Sequence, residues 1–250
     1  MVAAPAPRDS GLMRGVWREL AGLVLPVDCA GCGQPRTELC AACHRALWRG
    51  GRGAARVRPR PVPAGLPRVW AGAPYADEVR AVLLAHKERG ALRLAAPLGA
   101  VLAGAVLAGV ARGVGGGGGP LVLVPVPSAR RAVAGRGHDP VRRIALAASA
   151  ELRRRGLAVR VLAGLRQRRV VVDQAGLDAR QRLVNVAGAL EVPSTAGRLL
   201  AGAPALLVDD LVTTGATLAE AARAVRAAGG RVAGAAVVAA PGSSFSFNST

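Results

Sequence analysis

The chain has 250 residues, of which 51% are hydrophobic and 20% charged, and 34 Lys and Arg face 15 Asp and Glu. The apolar fraction is high enough to bury a sizeable core, which excludes a wholly disordered chain. Aromatic residues make up only 2%, which disfavours an RNA- or single-strand-binding surface built from stacked rings. Lys87 is the only lysine, so the net charge of +19 comes from arginine. This charge reflects either the coding bias of a GC-rich genome or a polyanionic partner.

The N-terminal segment is irregular and rich in Ala and Pro, and we expect residues 1–22 to be flexible. Its apolar run, Leu20 to Leu25, is shorter than the core of a signal peptide and ends at Pro26. We therefore expect a cytoplasmic protein.

All four cysteines fall within fifteen residues: Cys29, Cys32, Cys40 and Cys43. Two Cys-x-x-Cys pairs this close present four thiolates to one tetrahedral ion, which predicts a structural zinc site. Cys40 to His44 also matches the attachment pattern of a c-type haem. The haem alternative requires export and a second axial ligand, and it leaves two cysteines without a role, so zinc is the better interpretation.

An arginine-rich segment follows the cysteines. From Leu47 to Pro67 arginines alternate with Gly and Pro, and no acidic residue intervenes. This composition predicts a linker or an extended arm. We expect a zinc ribbon and arm over residues 23–70 and a larger domain over residues 71–240.

The larger domain begins with two predicted helices. Asp77 is placed to cap a helix that runs to about His86. The stretch Leu94 to Ala111 is uncharged over 18 residues, at the lower edge of membrane-spanning length. Glycines, alanines and Pro97 make it only modestly hydrophobic, so we predict a helix packed against a sheet and no membrane span. Gly113 to Gly119 is predicted to be an exposed loop.

Short apolar runs then alternate with helical segments. A parallel α/β sheet is predicted from this alternation, because buried parallel strands are apolar on both faces. The predicted strands are Leu121–Val126, Val159–Leu162, Ala205–Val208 and Arg231–Ala240. A helix is predicted over Val141–Arg155. Residues 241–250 are predicted to be a disordered tail.

The most informative segment runs from Ala205 to Thr217. An apolar strand leads to Asp209 and Asp210, and a Thr-Thr-Gly-x-Thr loop then opens a helix. Exposed N–H groups and the dipole at a helix start favour a phosphate, and hydroxyl groups add donors. The two acids would repel that phosphate unless they face sugar hydroxyls or a magnesium ion. A Walker-type loop is excluded because the segment lacks Gly-Lys-Ser/Thr.

This segment resembles the 5-phosphoribosyl-1-pyrophosphate (PRPP) motif of type I phosphoribosyltransferases. The chain from about Leu23 to Ala240 is similar to the ComF family, which joins a four-cysteine zinc finger to such a domain. The similarity extends to His86–Gly90, to Val124–Pro127 and to the run from Gln174 through Arg180 to Gly188. It implies a type I phosphoribosyltransferase-like parallel sheet flanked by helices, with a small N-terminal zinc ribbon.

The resemblance also implies roles. Asp209 and Asp210 would hold the ribose hydroxyls, directly or around Mg²⁺. The 5′-phosphate would lie on Thr213, Thr214, Gly215, Ala216 and Thr217, the pyrophosphate on Pro127, Ser128, Ala129 and Arg130, and a flexible lid would contain Arg168, Arg169, Gln174 and Arg180. Lys87 is a candidate pyrophosphate contact, because a lone lysine among arginines indicates a need for a compact ammonium. Each basic group could equally be solvated surface charge.

One segment departs from the family pattern. The family commonly has Arg-Gly-Phe-Asn-Gln where this chain has Arg136-Gly137-His138-Asp139-Pro140. The change alters stacking and hydrogen bonding, so the acceptor specificity or the catalysis is in question. His138 is a weak candidate for a general base. A helix start with Asp139 as cap and Pro140 in the first turn is the simpler interpretation.

The sequence leaves two functions open. The first is a Mg²⁺-dependent phosphoribosyltransferase or PRPP-binding protein. The second is a non-catalytic accessory protein for DNA uptake or processing, which the family resemblance implies. In the second case the zinc finger and the arm from Arg49 to Arg68 would contact single-stranded DNA or a helicase partner.

Overall fold

The computed structural model describes residues 28–49, 53–114, 119–128, 133–135, 137–169 and 178–245. The helices are α1 (Ala41–Arg49), α2 (Asp77–Glu88), α3 (Ala95–Val110), α4 (Pro140–Arg154), α5 (Ala179–Val186), α6 (Ser194–Ala201) and α7 (Ala216–Ala227). The strands are β1 (Ala55–Val57), β2 (Val69–Pro74), β3 (Leu121–Pro125), β4 (Val159–Val161), β5 (Arg166–Gln167), β6 (Leu190–Glu191), β7 (Pro204–Leu211) and β8 (Arg231–Ala240). Short 3₁₀ turns cover Leu92–Leu94 and Gly242–Ser244.

Within the described residues, six strands form one sheet in the order β1-β2-β8-β7-β3-β4. All neighbouring pairs are parallel except β1 and β2, which are antiparallel. Strands β5 and β6 form a separate antiparallel pair. The predicted α/β class, a mostly parallel sheet flanked by helices, is confirmed, and β7 lies in its centre.

The two faces of the sheet are buried by different helices. Leu206 and Val208 of β7 belong to the apolar cluster that includes α2, α3 and α4. Ala205 and Leu207 belong to the cluster on the other face, which includes α6 and α7. Side chains alternate along a strand, so the same alternation carries Asp210 toward the α2 face. The order of apolar residues in β7 thus sets the directions of the two acids.

Helix α3 is a core helix. Gly99 and Gly72 allow close approach, since a Cβ at Gly99 would lie 2.5 Å from Ala147 Cβ and one at Gly72 would lie 2.6 Å from the Val101 carbonyl oxygen. By length and composition alone the stretch Leu92–Val110 could cross a membrane, but half of it is buried inside the protein. The predicted helix against a sheet is confirmed.

The starts of two helices test the predicted caps. Asp139 caps α4, because its Oδ1 accepts a hydrogen bond from the Arg142 N–H at 3.0 Å, and Pro140 is the first helical residue. The predicted cap at Asp77 is wrong. Helix α2 begins at Asp77 itself, its N-cap is Ala76, and no side chain in the described part of the chain caps it.

Part of the predicted arm belongs to the sheet. Strand β1 pairs with β2, Val57 is buried, and the predicted boundary between residues 70 and 71 falls inside β2. Part of the predicted tail is ordered as well, since Phe245 forms a β-bridge with Val57 and the Arg58 N–H donates to the Ser244 carbonyl at 2.8 Å. The predicted flexible N-terminus, most of the glycine loop and residues 246–250 lie outside the described residues.

Candidate functional site

The acid pair lies near the carboxyl end of the central strand. Asp210 is buried and forms an ion pair with Lys87, with 2.8 Å between Lys87 Nζ and Asp210 Oδ2. The side chain of Asp210 is 9% exposed and that of Lys87 is 37% exposed. The single lysine of the chain therefore reaches from the end of α2 to the edge of the sheet where ligands bind in this class of fold.

Asp209 has a different environment. Its Oδ1 accepts a hydrogen bond from the Asp210 N–H at 2.8 Å. Burial raises the pKa of Asp209 well above its ordinary value, and the neighbouring Asp210 carboxylate raises it further. Burial alone would lower the pKa of Lys87, but the carboxylates of Asp210 and Asp209 outweigh it and hold that pKa above its ordinary value. The site thus contains two neighbouring carboxyl groups that repel each other when both are ionised, and one ammonium group that partly offsets their charge.

The loop after β7 turns sharply at a glycine and leads directly into the start of α7. Gly215 has φ of 79° and precedes the first residue of α7. The Ala216 N–H donates to Thr214 Oγ1 at 3.4 Å. The first N–H groups of a helix have no partners within the helix, so they can bind an acceptor in front of it, and such a ligand would replace Thr214 Oγ1 at the Ala216 N–H. Residues 213–217 follow the acids closely, and they are called the phosphate loop after the ligand that the sequence predicts for them.

Part of the arginine-rich segment that was predicted to be an extended arm covers this loop. A Cβ at Gly215 would lie 3.0 and 3.1 Å from the Leu66 methyl groups and 3.4 Å from Pro59 Cγ. The Arg226 guanidinium also donates to the Gly65 carbonyl at 3.0 Å. Pro59 and Leu66 therefore pack at the start of α7, Gly65 is held from its last turn, and Gly215 leaves room where the arm meets the loop.

The neighbouring strand end carries part of the predicted pyrophosphate loop. Pro125 of β3 is in register with Val208, and the Val126 N–H donates to the Val208 carbonyl at 2.9 Å. Pro127 and Ser128 follow at this edge and are partly buried. The other two residues of the predicted loop, Ala129 and Arg130, lie outside the described residues.

The predicted lid has a hairpin at its base. Arg168 and Arg169 are exposed just after β5, and the Arg169 guanidinium donates to the carbonyls of Asn185 and Ala187 at 2.9 and 2.8 Å. Arg180 is exposed on α5. Gln174 lies outside the described residues. The described part of the lid thus joins β5 to the end of α5.

Sequence reasoning missed Arg182. Its Nη1 donates to Thr213 Oγ1 at 3.4 Å, which links α5 to the phosphate loop. Arg180, which the sequence analysis selected, is two residues away and therefore about 200° around the helix. The sequence signal that could have identified Arg182 is its position next to Leu183 and four residues before Val186. These two apolar residues mark the inward face of α5 and line the groove beside α7.

Two histidines lie beside Lys87. His86 is completely buried, and its Nδ1 and Nε2 lie 3.2 and 3.4 Å from the carbonyl oxygens of Ala91 and Pro140. Burial lowers the pKa of His86. His138 Nε2 lies 3.3 Å from the His86 carbonyl oxygen. Both histidines join α2 to the start of α4, which agrees with a helix-start role for the segment around His138.

The four cysteines converge. Their sulfur atoms all lie within 4.8 Å of one another, and Cys32 Sγ and Cys40 Sγ are 3.7 Å apart. A tetrahedral zinc ion with Zn–S bonds of about 2.3 Å needs sulfur atoms about 3.8 Å apart, so the donor set fits. The cluster is made from a turn and the start of α1. Four cysteines positioned for one metal ion were predicted, and this is confirmed.

The cysteine cluster has its own hydrogen bonds and is tied to the main core. The Cys40 N–H donates to Cys29 Sγ at 3.3 Å and the Cys43 N–H donates to Cys40 Sγ at 3.4 Å. Burial raises the pKa of Cys29, but hydrogen bonds from the backbone N–H groups of Cys40, Cys32 and Gly31 outweigh it and lower the pKa to about 6. Leu47 of α1 is buried in the core cluster that contains Trp70. The metal-binding segment is therefore packed onto the larger domain.

Comparison with known families gives one match. The family model described as a phosphoribosyl transferase domain matches residues 155–247. The matched part contains β7, the acid pair, the phosphate loop and α7, whereas Lys87, β3 and the cysteines precede it. No curated protein matches the chain. The chain thus contains a phosphoribosyltransferase-like domain preceded by a four-cysteine cluster.

Proposed function

We propose that this protein binds PRPP and transfers its 5-phosphoribosyl group to an acceptor, with release of pyrophosphate. The observation that carries the proposal is the order of groups at the end of β7. Two acids are followed at once by a loop whose N–H groups open α7, inside the region that matches the phosphoribosyl transferase domain. A sugar phosphate satisfies both parts, because its diol faces the acids and its phosphate faces the helix start.

The chain's own residues would act by binding and orientation. The N–H groups of residues 215–217 and the hydroxyls of Thr213 and Thr214 would hold the 5′-phosphate. Asp209 and Asp210 would accept hydrogen bonds from the ribose hydroxyls, which fixes the sugar and its C1 relative to the β3 edge. As pyrophosphate leaves C1 and a nitrogen nucleophile attacks, positive charge develops on the sugar ring, and nearby carboxylates stabilise it.

Mg²⁺ fits the donor set in part. Mg²⁺ is usually bound by one or two carboxylates together with substrate phosphates and water, and the acid pair offers those carboxylates. When bound, it would neutralise charge on the pyrophosphate. Lys87 already neutralises Asp210 in the ligand-free protein, since Nζ lies 2.8 Å from Oδ2. We propose that Lys87 compensates the acid pair until ligand arrives and then contacts the pyrophosphate.

The remaining groups would complete the site. Pro127 and Ser128 lie at the neighbouring strand end, where the pyrophosphate would lie, with Ala129 and Arg130 following in the chain. The lid residues Arg168, Arg169, Gln174 and Arg180 would close over PRPP and exclude water. The four-cysteine cluster would bind a structural zinc ion and stabilise the attachment of α1 to the core.

The test is calorimetric titration of the zinc-replete protein with PRPP, with and without Mg²⁺, followed by a pyrophosphate-release assay over purines, pyrimidines and amines. We expect the wild type to bind PRPP and the Asp210→Asn variant to bind at least about tenfold more weakly, because hydrogen bonds to a charged acceptor are lost. Glu151→Gln, which removes a carboxylate on α4, is the matched control and should bind like the wild type. Equal binding by Asp210→Asn, or no binding by the wild type, would refute the proposal.

A second function is favoured by the exposure pattern of the arm. Arg56, Arg58 and Arg60 are exposed, whereas the alternate residues Val57 and Pro59 are buried. A row of arginines on one edge suits a polyanion such as single-stranded DNA, which is the accessory role in DNA processing, alone or beside a helicase.

Fluorescence anisotropy with a labelled single-stranded oligonucleotide tests this second function. Replacing the three arm arginines by glutamine should reduce the slope of log Kd against log salt by about 2, since about 0.7 counterion is released per phosphate contact. The matched control replaces Arg153, Arg154 and Arg155 at the end of α4, which removes the same charge. An equal effect of both triple variants would show that only the net charge matters.

A further inference from the structure

One cation points at the phosphate loop from outside the acid pair. Arg182 lies in the middle of α5, and its Nη1 is 3.4 Å from Thr213 Oγ1. Its Nε is buried and has no hydrogen-bond partner among the residues that the structure describes. Nε is enclosed by protein, so a ligand in the loop would be met by the terminal nitrogens, of which Nη1 lies at Thr213.

The charge balance of the loop also calls for a cation. The loop's own donors are N–H groups and hydroxyls, which are neutral, and the Asp209 and Asp210 carboxylates lie a few residues before it. Lys87 is engaged by Asp210. In the second half of α7, Arg223 is held by Glu220 and the Leu190 carbonyl. A phosphate dianion in the loop would meet two carboxylates, and among the described cations Arg182 is in contact with a loop side chain.

Helix α5 is held in place at both ends, which keeps Arg182 over the loop. At its start Asp178 and Gln181 form a capping box, with the Gln181 N–H donating to Asp178 Oδ1 at 2.8 Å and the Asp178 N–H to Gln181 Oε1 at 2.9 Å. At its end the Arg169 guanidinium binds the carbonyls of Asn185 and Ala187. A fixed guanidinium loses little conformational freedom when it binds a phosphate.

The segment after α5 is tied to α7. The Leu190 N–H donates to Glu220 Oε1 at 3.0 Å, and Glu220 is buried. The phosphate loop and α5 therefore belong to one connected framework, in which Arg182 Nη1 contacts the first residue of the loop.

We propose that Arg182 is a 5′-phosphate-binding residue, whose guanidinium contacts the phosphate of a phosphoribosyl ligand held in the loop at residues 213–217. This inference rests on the proposed function and adds a side-chain cation to a cradle otherwise made of neutral donors. Since Arg182 acts on the 5′-phosphate, it contributes to the binding of any ribose 5-phosphate compound and not to that of pyrophosphate.

The test is calorimetric titration of the full chain with ribose 5-phosphate, PRPP and pyrophosphate. For Arg182→Gln we expect binding of ribose 5-phosphate and PRPP to weaken by the same factor, about 10- to 100-fold, because charge-assisted hydrogen bonds are lost. Pyrophosphate binding should not change. Arg182→Lys should fall between the two, since it keeps the charge and loses the fork geometry. Arg198→Gln, which removes an exposed arginine on α6, should bind like the wild type.

A second readout separates phosphate contact from mere support of the loop. If Arg182 touches the phosphate, Arg182→Gln binds ribose 5-phosphate with a weaker salt dependence than the wild type, because one charge is removed from the site. Equal salt dependence, unchanged binding of ribose 5-phosphate, or a loss confined to PRPP and pyrophosphate would overturn the inference. If the wild type binds neither sugar phosphate, the proposed function fails together with it, which is a distinct outcome.

Discussion

The contact between the arm and the phosphate loop makes Gly215 a sensitive position. In Gly215→Ala the new Cβ would lie 3.0 and 3.1 Å from the Leu66 methyl groups, at a residue with φ of 79°. Gly229, just after α7, is the matched control because it has φ of 78° and a Cβ there would meet nothing within 4 Å. Both substitutions place alanine in the left-handed region, but only the one at Gly215 also crowds the Leu66 methyl groups.

The magnitudes follow from these two terms. Placing alanine in the left-handed region costs about 1–2 kcal/mol, offset by about 0.4–1 kcal/mol from a stiffer unfolded chain. Gly229→Ala should therefore lose about 0–1.6 kcal/mol of unfolding free energy. Crowding against Leu66 adds about 1–3 kcal/mol, so Gly215→Ala should be less stable than Gly229→Ala by that amount.

The assay is urea unfolding of both variants, each also made in a Leu66→Ala background. Removing the Leu66 methyl groups should bring the cost of Gly215→Ala down to that of Gly229→Ala. Ribose 5-phosphate binding should weaken in Gly215→Ala alone. If the two glycine substitutions cost the same free energy in the wild-type background, the arm does not pack on the loop and the reasoning is refuted.

Three further predictions concern the charged and metal-binding groups. Lys87→Met should lose about 1–3 kcal/mol of unfolding free energy, between the values for exposed and buried ion pairs, because it leaves Asp210 unpaired. Adding Asp210→Asn should restore most of that loss, and a double variant as unstable as the single one would contradict the pairing. Because the folded-state pKa of Asp209 is raised, its stability penalty is absent below about pH 4 and grows as pH rises toward the folded-state value. Asp209→Asn should accordingly gain stability over the wild type above about pH 4 in urea titrations, and a pH-independent difference would contradict this. The purified protein should contain one zinc ion per chain by atomic emission, and Cys43→Ser should lose the zinc and lower the Tm; a variant that retains full zinc would contradict the site.

Local pattern predicted the sheet well. Strand β8 has the predicted bounds Arg231–Ala240, and α4 is displaced by one residue from the predicted Val141–Arg155. These elements are apolar and periodic, and their ends carry turn or cap residues, so each is determined by nearby sequence. The strand that ends near the acid pair and the helix that begins after Gly215 were predicted for the same reason, because they lie in one continuous segment.

Long-range contacts were not predicted. Lys87 and Asp210 are 123 residues apart, and only the parallel arrangement of the sheet brings α2 beside the end of β7. The Gly- and Pro-rich arm gave no strand signal, yet β1 pairs with β2 because the sheet edge offers free backbone groups. Arg182 was missed because its importance depends on the packing of α5 over the loop.

A crystal structure of the protein with ribose 5-phosphate would show where the sugar phosphate binds. We predict that the phosphate lies at the start of α7, within hydrogen-bond distance of the N–H groups of residues 215–217. The sugar diol should lie against Asp209 and Asp210. A saturated crystal in which the sugar phosphate lies elsewhere, with the Lys87–Asp210 ion pair unchanged, would contradict the account.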